Sequence, residues 1–128
     1  MEFTTWNDLA AHAAAQMDGL KPFSGQGIRN YTNGMTLLRS VPVSYYADTE
    51  DKYTAQGLVG NQDLQKKVNR VLQEPNRRIF LYEVKVNGKK KTWVWHGERQ
   101  FRGEIESMEH PDIRGSMRTI YRFVLHKP

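Results

Sequence analysis

Several features that would restrict the function of a protein are missing from this sequence. It has no cysteine among its 128 residues, which excludes disulfide bonds, thiolate metal sites and a cysteine nucleophile. No apolar run approaches the roughly 18 residues that a membrane span needs. Met1 is not followed by a basic stretch and an apolar stretch, as in a secretion signal. We therefore expect an intracellular protein without a membrane partner, cytoplasmic if prokaryotic or phage and nuclear if eukaryotic.

The common catalytic motifs are also missing. The sequence contains no Gly-x-Ser-x-Gly elbow, no phosphate-binding glycine loop, no dinucleotide-binding glycine pattern and no His-Glu-x-x-His motif. Its histidines are widely separated, at His12, His96, His110 and His126, so a histidine metal site is not expected. We predict no metal and no cofactor, and we assign no catalytic residue.

The chain has the length of one domain, and its charge is unevenly distributed. At 128 residues it can bury one hydrophobic core, so we predict a single domain over residues 1–128. Residues 1–60 contain four Lys and Arg against six Asp and Glu, whereas residues 61–128 contain 15 against eight. The net charge of +5 therefore comes from the second half. Such a localised basic surface is typical of a polyanion partner, and also of a solvated surface that maintains solubility.

Hydrophobic periodicity and turn residues predict a mixture of helices and strands. A helix follows Thr5, which can cap it, and a second helix is predicted over 61–73. Two short strands are predicted over 35–38 and 41–46.

The second half is typical of an antiparallel sheet. A strand over 79–86, the turn Asn87-Gly88 and a return strand from Thr92 form a hairpin, and the last strand alternates from 117 to 126. Two helices and six or seven strands in a chain of this length predict an α+β architecture with a strongly curved or barrel-like sheet.

Two aromatic clusters lie close together in the first half. Tyr45-Tyr46-Ala47-Asp48 is followed by Tyr53-Thr54-Ala55-Gln56-Gly57. Aromatic rings can stack on an extruded base, and a carboxylate can accept from an exocyclic amine such as cytosine N4. The same residues can also serve only in packing and in turns.

Glu83-Val84-Lys85 is the one arrangement that favours an enzyme. An acidic residue two positions before a lysine on a strand holds a divalent metal and positions water in some nucleases. Ordinary alternation on a half-exposed strand produces the same pattern.

A series of short motifs extends over nearly the whole chain after the first helix. They are Gly27-Ile28, Tyr53-Thr54-x-x-Gly57-x-x-Gly60-x-Gln62, Asn69-Arg70-x-Leu72, Ile79-Phe80-Leu81-Tyr82, Trp95-His96-Gly97, and Arg118-Thr119-Ile120-Tyr121-Arg122-Phe123-Val124-Leu125. In this order and spacing they resemble an SRA (SET and RING associated) domain, especially the compact versions fused to HNH nucleases in bacterial modification-dependent restriction enzymes.

The resemblance implies a PUA-like barrel that flips a modified cytosine, 5-methylcytosine or 5-hydroxymethylcytosine, out of duplex DNA into a pocket. In this interpretation Asp48 accepts from the N4 amine, Tyr53 stacks on the base and Thr54 lies along its polar edge. One of the two adjacent tyrosines forms the opposite wall, and Gly57 allows the backbone to approach. The pocket set that it implies is Tyr45, Tyr46, Asp48, Tyr53, Thr54, Gln56 and Gly57.

The sequence departs from the family pattern at several points. The finger loop of the eukaryotic domains is missing, because Gly57 passes almost directly into Asn61-Gln62. Reading of hemimethylated CpG through that loop is therefore not expected. Trp95-His96-Gly97 stands where Tyr-Asp-Gly is usual, and Gln56 stands where Ser or Glu is common. No HNH motif is present, so any nuclease is a separate partner, or a fused domain in relatives.

Basic residues provide candidate contacts to the DNA backbone and grooves. Arg29, Asn30 and Tyr31 follow the Gly-Ile motif and are placed to approach the groove or to fill the vacated base position. The residues placed to meet phosphates are Lys66, Lys67, Arg70, Lys89, Lys90, Lys91 and Arg114.

Three hypotheses follow from the sequence. The first is a non-catalytic reader of modified DNA, as in epigenetic reading or restriction-modification systems. The second is an enzyme on modified DNA, either a nuclease with Glu83 and Lys85 or a glycosylase with Asp48. The third is a PUA-like RNA-binding domain.

Overall fold

The structure, a computed structural model, describes residues 1–22 and 27–128. Within these ranges it contains seven strands and two helices, as the sequence predicts. Neither helix in the described ranges is long and apolar enough to cross a membrane. The elements are β1 (Glu2–Phe3), α1 (Trp6–Gln16), β2 (Ile28–Asn30), β3 (Met35–Ser40), β4 (Lys52–Thr54), α2 (Lys67–Leu72), β5 (Arg78–Asn87), β6 (Lys90–Pro111) and β7 (Met117–His126).

The strands form one sheet in the order β2-β3-β5-β6-β7-β4, with β1 paired to the start of β6. All neighbours are antiparallel except β3 and β5, which are parallel over six residue pairs from Met35↔Arg78 to Ser40↔Glu83. The 22-residue β6 pairs with β5 through its first half and with β7 through its second. Register shifts interrupt both ladders and bend the strand. The result is a curled half-barrel with two helices, so the predicted α+β architecture with a strongly curved sheet is confirmed.

Two hydrophobic clusters stabilise the sheet. Helix α1 begins where Thr5 Oγ1 accepts a hydrogen bond from Asp8 N at 3.2 Å. Its apolar stripe packs with Phe80, Tyr82 and Trp95 in the first cluster. The second cluster contains side chains of β3, β4, β5 and β7 together with Leu72 of α2.

The predicted helix over 61–73 is wrong at its start, because α2 begins only at Lys67. Residues before it are bound to β7 instead. Asn61 Oδ1 accepts from Thr119 N at 2.8 Å, and Gln62 bonds Thr119 O through its backbone and Tyr121 N through its side chain. These contacts with β7 replace the hydrogen bonds of a helical turn.

The predicted strand over 41–46 is also wrong, since these residues form a loop. Pro42 has no N–H to donate to a sheet, and Val43 N bonds back to Val41 O at 2.9 Å. The strand before it continues through Arg39 to Ser40. The predicted hairpin is confirmed, with Gly88 at φ +62° in its turn.

Candidate nucleic-acid interface

The chain between the parallel neighbours β3 and β5 carries all seven residues of the predicted pocket set. Tyr45 and Tyr46 lie in the loop before β4, with ring centroids 4.8 Å apart and an interplanar angle of 67°. The Tyr46 hydroxyl accepts a hydrogen bond from Gly57 N at 3.4 Å. The two aromatic motifs of the sequence are therefore in contact.

Asp48 is held in a fixed orientation at the end of this loop. One carboxylate oxygen accepts from Thr54 N at 2.7 Å, and the other accepts from Ser40 Oγ at 3.0 Å. Burial raises the pKa of Asp48, although the bonds from Thr54 and Ser40 and the nearby charge of Arg122 oppose this shift. Thr54 Oγ1 in turn accepts from Ala47 N at 2.9 Å. The loop and β4 are thus linked through the carboxylate and this hydroxyl.

Tyr53 and Thr54 lie deeper than the other members of the pocket set. Tyr53 is only 2% exposed, and its ring belongs to the second hydrophobic cluster. Its hydroxyl donates to Arg39 O at 2.8 Å, and burial strongly raises its pKa. Stacking of a base on Tyr53 therefore requires that a side chain packed against it moves.

Two concave regions adjoin the pocket set. The first, which we call the Asp48 cavity, has a volume of about 440 Å³. Its walls are Ser40, Asp48, Thr49, Glu50, Leu81, Glu83, Lys85 and His96. The second has a volume of about 340 Å³. It is lined by Gly27, Ile28, Tyr46, Gln56, Gly57, Leu58, Lys66 and Val68. Of the pocket set, Asp48 lines the first region, and Tyr46, Gln56 and Gly57 line the second. Tyr45, Tyr53 and Thr54 line neither region.

The sequence does not indicate that Ser40 and His96 are neighbours of Asp48. His96 follows Trp95 in β6, and its Nε2 lies 3.0 Å from Glu83 Oε1 on β5. Glu83 and Lys85, which the sequence indicates only as a nuclease-like pair, share the cavity with them. Within the described residues, no group of three or more His, Asp or Glu is arranged to hold a metal ion.

Two arginines of β7 hold the loops of the site. Arg118 is 2% exposed and donates to the carbonyl oxygens of Gly57 at 2.6 Å and Tyr45 at 2.7 Å. Arg122 donates to Ala47 O at 3.2 Å and to Glu106 at 2.9 Å. The sequence signal for this role is the spacing of four, which puts both arginines on one face of a strand.

Two buried amides hold the segment after β4. Asn69 is fully buried in α2; its Oδ1 accepts from Gln56 N at 2.8 Å and its Nδ2 donates to Gln56 O at 3.0 Å. The Gln62 side chain donates to Ala55 O and accepts from Tyr121 N. The backbone of the pocket set is therefore fixed from α2 and from β7.

The predicted DNA-contact residues lie in three parts of the fold. Arg29, Asn30, Lys66 and Lys67 line a groove of about 370 Å³ between β2 and α2, with an apolar floor; we call it the α2 groove. Tyr31 lies beside it under the Arg29 guanidinium, 5.7 Å from ring centroid to Cζ. Arg70 is exposed on α2. The other predicted contacts are exposed Lys89, Lys90 and Lys91 at the β5–β6 hairpin and Arg114 in the β6–β7 turn.

Comparison with known proteins was informative only at the level of structure. No protein-family model matches the sequence, and no curated protein is significantly similar to it. The sulfur binding domain and SRA domain of ScoMcrA, solved with phosphorothioated DNA, matches 98% of this chain with a TM-score of 0.65 and 18% identity. The chain has the fold of an SRA domain.

KRYPTONITE structures match this SRA-like chain over its whole length. The complex with mCHG DNA and SAH, and the complex with mCHH DNA, an H3(1-15) peptide and SAH, each give a TM-score of 0.64 at 15% identity. The SRA-like chain spans 31% of the KRYPTONITE chains and 38% of the ScoMcrA chain. At these identities the likeness shows the fold.

Proposed function

We propose that this SRA-like domain, over residues 1–128, is a reader of modified DNA that flips a modified cytosine into a pocket at Asp48. The similar structures were solved with methylated or phosphorothioated DNA, which supports DNA carrying a modification as the partner. The observation that carries the proposal is the half-buried Asp48 carboxylate, fixed by Thr54 and Ser40 beside an open cavity.

Asp48 has the chemistry to recognise an exocyclic amine. The two carboxylate oxygens of Asp48 offer four lone pairs, and the hydrogen-bond partners of Asp48 are Thr54 N, the Thr54 side chain and Ser40 Oγ. A lone pair therefore remains for another donor, which we place on the oxygen that Ser40 binds, and cytosine N4 is such a donor. Because burial raises the pKa of this carboxylate, a donor that stabilises its charged form is favoured.

The aromatic members of the pocket set supply the remaining contacts in this proposal. Flipping costs a few kcal/mol of lost stacking and pairing. Tyr45 or Tyr46 on one side and Tyr53 on the other offset that cost by stacking, with Thr54 along the polar edge, once the side chains that cover Tyr53 and Thr54 have moved. Gln56 and Gly57 complete the pocket.

Basic residues add affinity for DNA that does not depend on the base sequence of the duplex. We assign backbone or groove contacts to the residues of the α2 groove, to the lysines of the β5–β6 hairpin and to Arg114, because phosphate contacts fix the register of a protein on its duplex. Arg29, Asn30 and Tyr31 approach the groove or the vacated base position. We place the protein inside the cell, with a nuclease as a further partner in trans.

Replacing Asp48 with Asn tests the pocket. Asn keeps an acceptor for Thr54 N but presents an NH2 group to the N4 amine, so it loses the acceptor for the base. We expect the wild type to prefer a duplex with one modified cytosine over the unmodified duplex by at least tenfold, about 1.4 kcal/mol. Asp48→Asn should reduce this ratio to about onefold in fluorescence anisotropy titrations at fixed salt.

Asp8→Asn, an equal change on an exposed turn of α1, is the matched control and should retain the preference. Thermal unfolding of both variants checks that they are folded. A preference that survives in Asp48→Asn would contradict the pocket. No preference in the wild type, on any modified duplex, would contradict the proposed function.

One observation favours an enzyme as the second candidate, namely that Asp48, Glu83 and Lys85 share one cavity. Incubation of modified duplexes with the wild type and Mg²⁺ separates the two functions. Base release would indicate a glycosylase with Asp48, and strand scission lost in Glu83→Ala would indicate a nuclease. Competition by structured RNA in the anisotropy assay tests the RNA-binding alternative.

A further inference from the structure

Arg99 is a buried arginine of β6 that has no carboxylate partner among the described residues. It is 6% exposed, and its Nη1 donates to two carbonyl oxygens of its own strand, His96 O at 2.8 Å and Glu98 O at 2.9 Å. The Glu98 carboxylate pairs with Arg78 at 3.1 Å, and none of the ion pairs in the described ranges includes Arg99. A guanidinium has five N–H donors, so those of Nε and Nη2 have no acceptor among the described residues. Neither nitrogen is sealed from solvent, so both border open space.

The open space beside Arg99 is a cavity of about 480 Å³, which we call the Arg99 cavity. Side chains alternate along a strand, so Arg99 lies on the same face of β6 as Phe101, and Glu98 lies on the other face. Phe101 pairs with Leu125 of β7, which lines the cavity. The guanidinium therefore faces this cavity and not the pair of Glu98 with Arg78. The other lining residues are Thr49, Glu50 and Asp51 before β4, and His126 and Lys127 at the end of β7.

The walls of the Arg99 cavity carry charges of both signs, which differ in their contact with water. Glu50 and Asp51 are exposed, so water screens their charges. The turn that carries them is fixed, because Leu125 N donates to Asp51 O at 2.8 Å and Thr49 Oγ1 donates to Asp51 Oδ1 at 3.0 Å. Arg99, in contrast, has lost most of its water, and a buried charge without a partner is costly. An anion that enters the cavity is therefore stabilised mainly by Arg99.

We propose that the Arg99 cavity binds a terminal phosphate group, carried by a small phosphorylated molecule or by the 5′ end of DNA. This inference goes beyond the proposed function and does not need a base at Asp48. The planar guanidinium can donate two parallel N–H bonds to a phosphate, and Nε and Nη2 are the pair left for it. Because Arg99 is recessed, a terminal phosphate reaches it more easily than a diester within a duplex, which carries a sugar on both sides. The cavity volume lies in the range of sites that hold whole small ligands, about 300–1,000 Å³.

The first test uses small ligands that lack the amine expected to bind Asp48. The full chain is titrated at fixed ionic strength with inorganic phosphate, deoxyuridine 5′-monophosphate and, as the ligand control, deoxyuridine, and amide signals are followed by ¹H–¹⁵N NMR spectroscopy. We expect both phosphate probes to shift the signals of residues 49–51 and 125–127, and deoxyuridine to leave them in place.

Variants of Arg99 assign this binding to its guanidinium. Arg99→Gln should raise the Kd of both phosphate probes at least tenfold. Arg99→Lys keeps the charge but loses the paired N–H donors, so it should raise the Kd at least threefold, and it provides the test if Arg99→Gln does not fold. Arg102→Gln removes an equal charge at an exposed position of the same strand and should leave the Kd within twofold. Thermal unfolding checks that each variant is folded.

The source of the phosphate is identified with an unmodified duplex that ends in a 5′-phosphate or a 5′-hydroxyl. Binding of the phosphorylated duplex that is at least threefold tighter, and is lost in Arg99→Lys, assigns the site to DNA ends. Equal binding of the two duplexes, with the phosphate probes bound, assigns it to small phosphorylated molecules. Phosphate probes that shift only other residues, or a Kd that neither Arg99 variant changes, would overturn this inference and leave the proposed function intact. Loss of modified-base preference alone would overturn only the proposed function.

Discussion

Tyr82 carries a buried hydroxyl that has no hydrogen-bond partner among the described residues. The residue is 1% exposed in the first hydrophobic cluster, and its burial raises the pKa of the phenol. Tyr53 is equally buried, but its hydroxyl donates to Arg39 O. The two tyrosines therefore form a natural pair for measuring what a satisfied and an unsatisfied buried hydroxyl contribute to stability.

Tyr82→Phe should leave the free energy of unfolding unchanged or raise it by up to about 1 kcal/mol, because it removes an unpaired polar group. Tyr53→Phe should lower the free energy of unfolding by about 1 kcal/mol, because it removes a hydrogen bond and leaves Arg39 O unpaired. Urea denaturation followed by circular dichroism measures both. A loss in Tyr82→Phe as large as that in Tyr53→Phe would mean that the Tyr82 hydroxyl has a partner.

Single residues also show which parts of the site the sequence can predict. Asp48 and the tyrosines are indicated by the sequence as a candidate group because their residue types suit a planar base, and their role stays a prediction. The roles of Asn69, Gln62 and Arg118 are not predictable in this way, because their partners are backbone groups of other segments. Asn69 binds Gln56, 13 residues away, and Arg118 binds Tyr45, 73 residues away. The residue type alone does not show whether an amide or a guanidinium group is buried or exposed in the fold.

Among the elements, the turn between β6 and β7 fixes the loop that follows the pocket set. Asp112 is 5% exposed; it accepts from Gly60 N at 3.2 Å and, within its own turn, from Arg114 N and Ser116 N. Ile113 N also donates to Leu58 O at 3.0 Å. Hydrogen bonds from these backbone N–H groups lower the pKa of Asp112, and the bond from Gly60 N has the largest effect.

Asp112→Asn should destabilise the protein at neutral pH and have little effect in acid. A carboxyl whose pKa is lowered by folding contributes stability above its unfolded pKa of about 3.9, and this contribution is lost as the pH falls through the folded-state pKa. Urea midpoints of the wild type and the variant should therefore differ at about pH 7 and converge toward about pH 2. Glu104→Gln, a change at an exposed position of β6, serves as the control. A difference of equal size at both pH values would show that the charge of Asp112 is not what stabilises the turn.

Elements with a local signal are predicted well, and elements that depend on distant partners are not. The β5–β6 hairpin follows from Asn87-Gly88, and α1 follows from Thr5 and its apolar stripe. Residues 61–66 carry helical spacing, but Asn61 and Gln62 bind β7 instead. The register of β7 against these side chains is a tertiary property, which local periodicity does not contain.

For the molecule as a whole, the order of short motifs predicts the SRA-like fold, which the structural comparison confirms. The positions of the basic residues do not follow from that order. They lie in the α2 groove, at the β5–β6 hairpin and in the β6–β7 turn. The α2 groove shares Ile28, Lys66 and Val68 with the concave region at Tyr46 and Gly57, so Lys66 borders a space that members of the pocket set also line.

Replacing Lys66 and Lys67 with Gln should weaken binding of modified and unmodified duplexes by the same factor. Each lost phosphate contact lowers the slope of log K against log salt by about 1, so the double variant should lower it by about 2. Anisotropy titrations at a series of salt concentrations measure this slope. Lys21→Gln with Lys127→Gln removes the same charge elsewhere and should change the slope by less than 1; an equal change would point to net charge rather than contacts.

The parallel pairing of β3 with β5 separates the segment that carries the proposed pocket from the strands that hold its two ends. Residues 41–77 leave one strand and return to its direct neighbour, and they carry Asp48, the aromatic residues and α2. Doubling the length of such an excursion costs only about 0.6 kcal/mol of closure entropy, so the excursion tolerates variation while the strands keep their register. Glu83, Lys85 and His96, in contrast, belong to the frame. The residues of the proposed pocket can therefore change in number and kind while the pairing of β3 with β5 that holds both ends of the excursion stays the same.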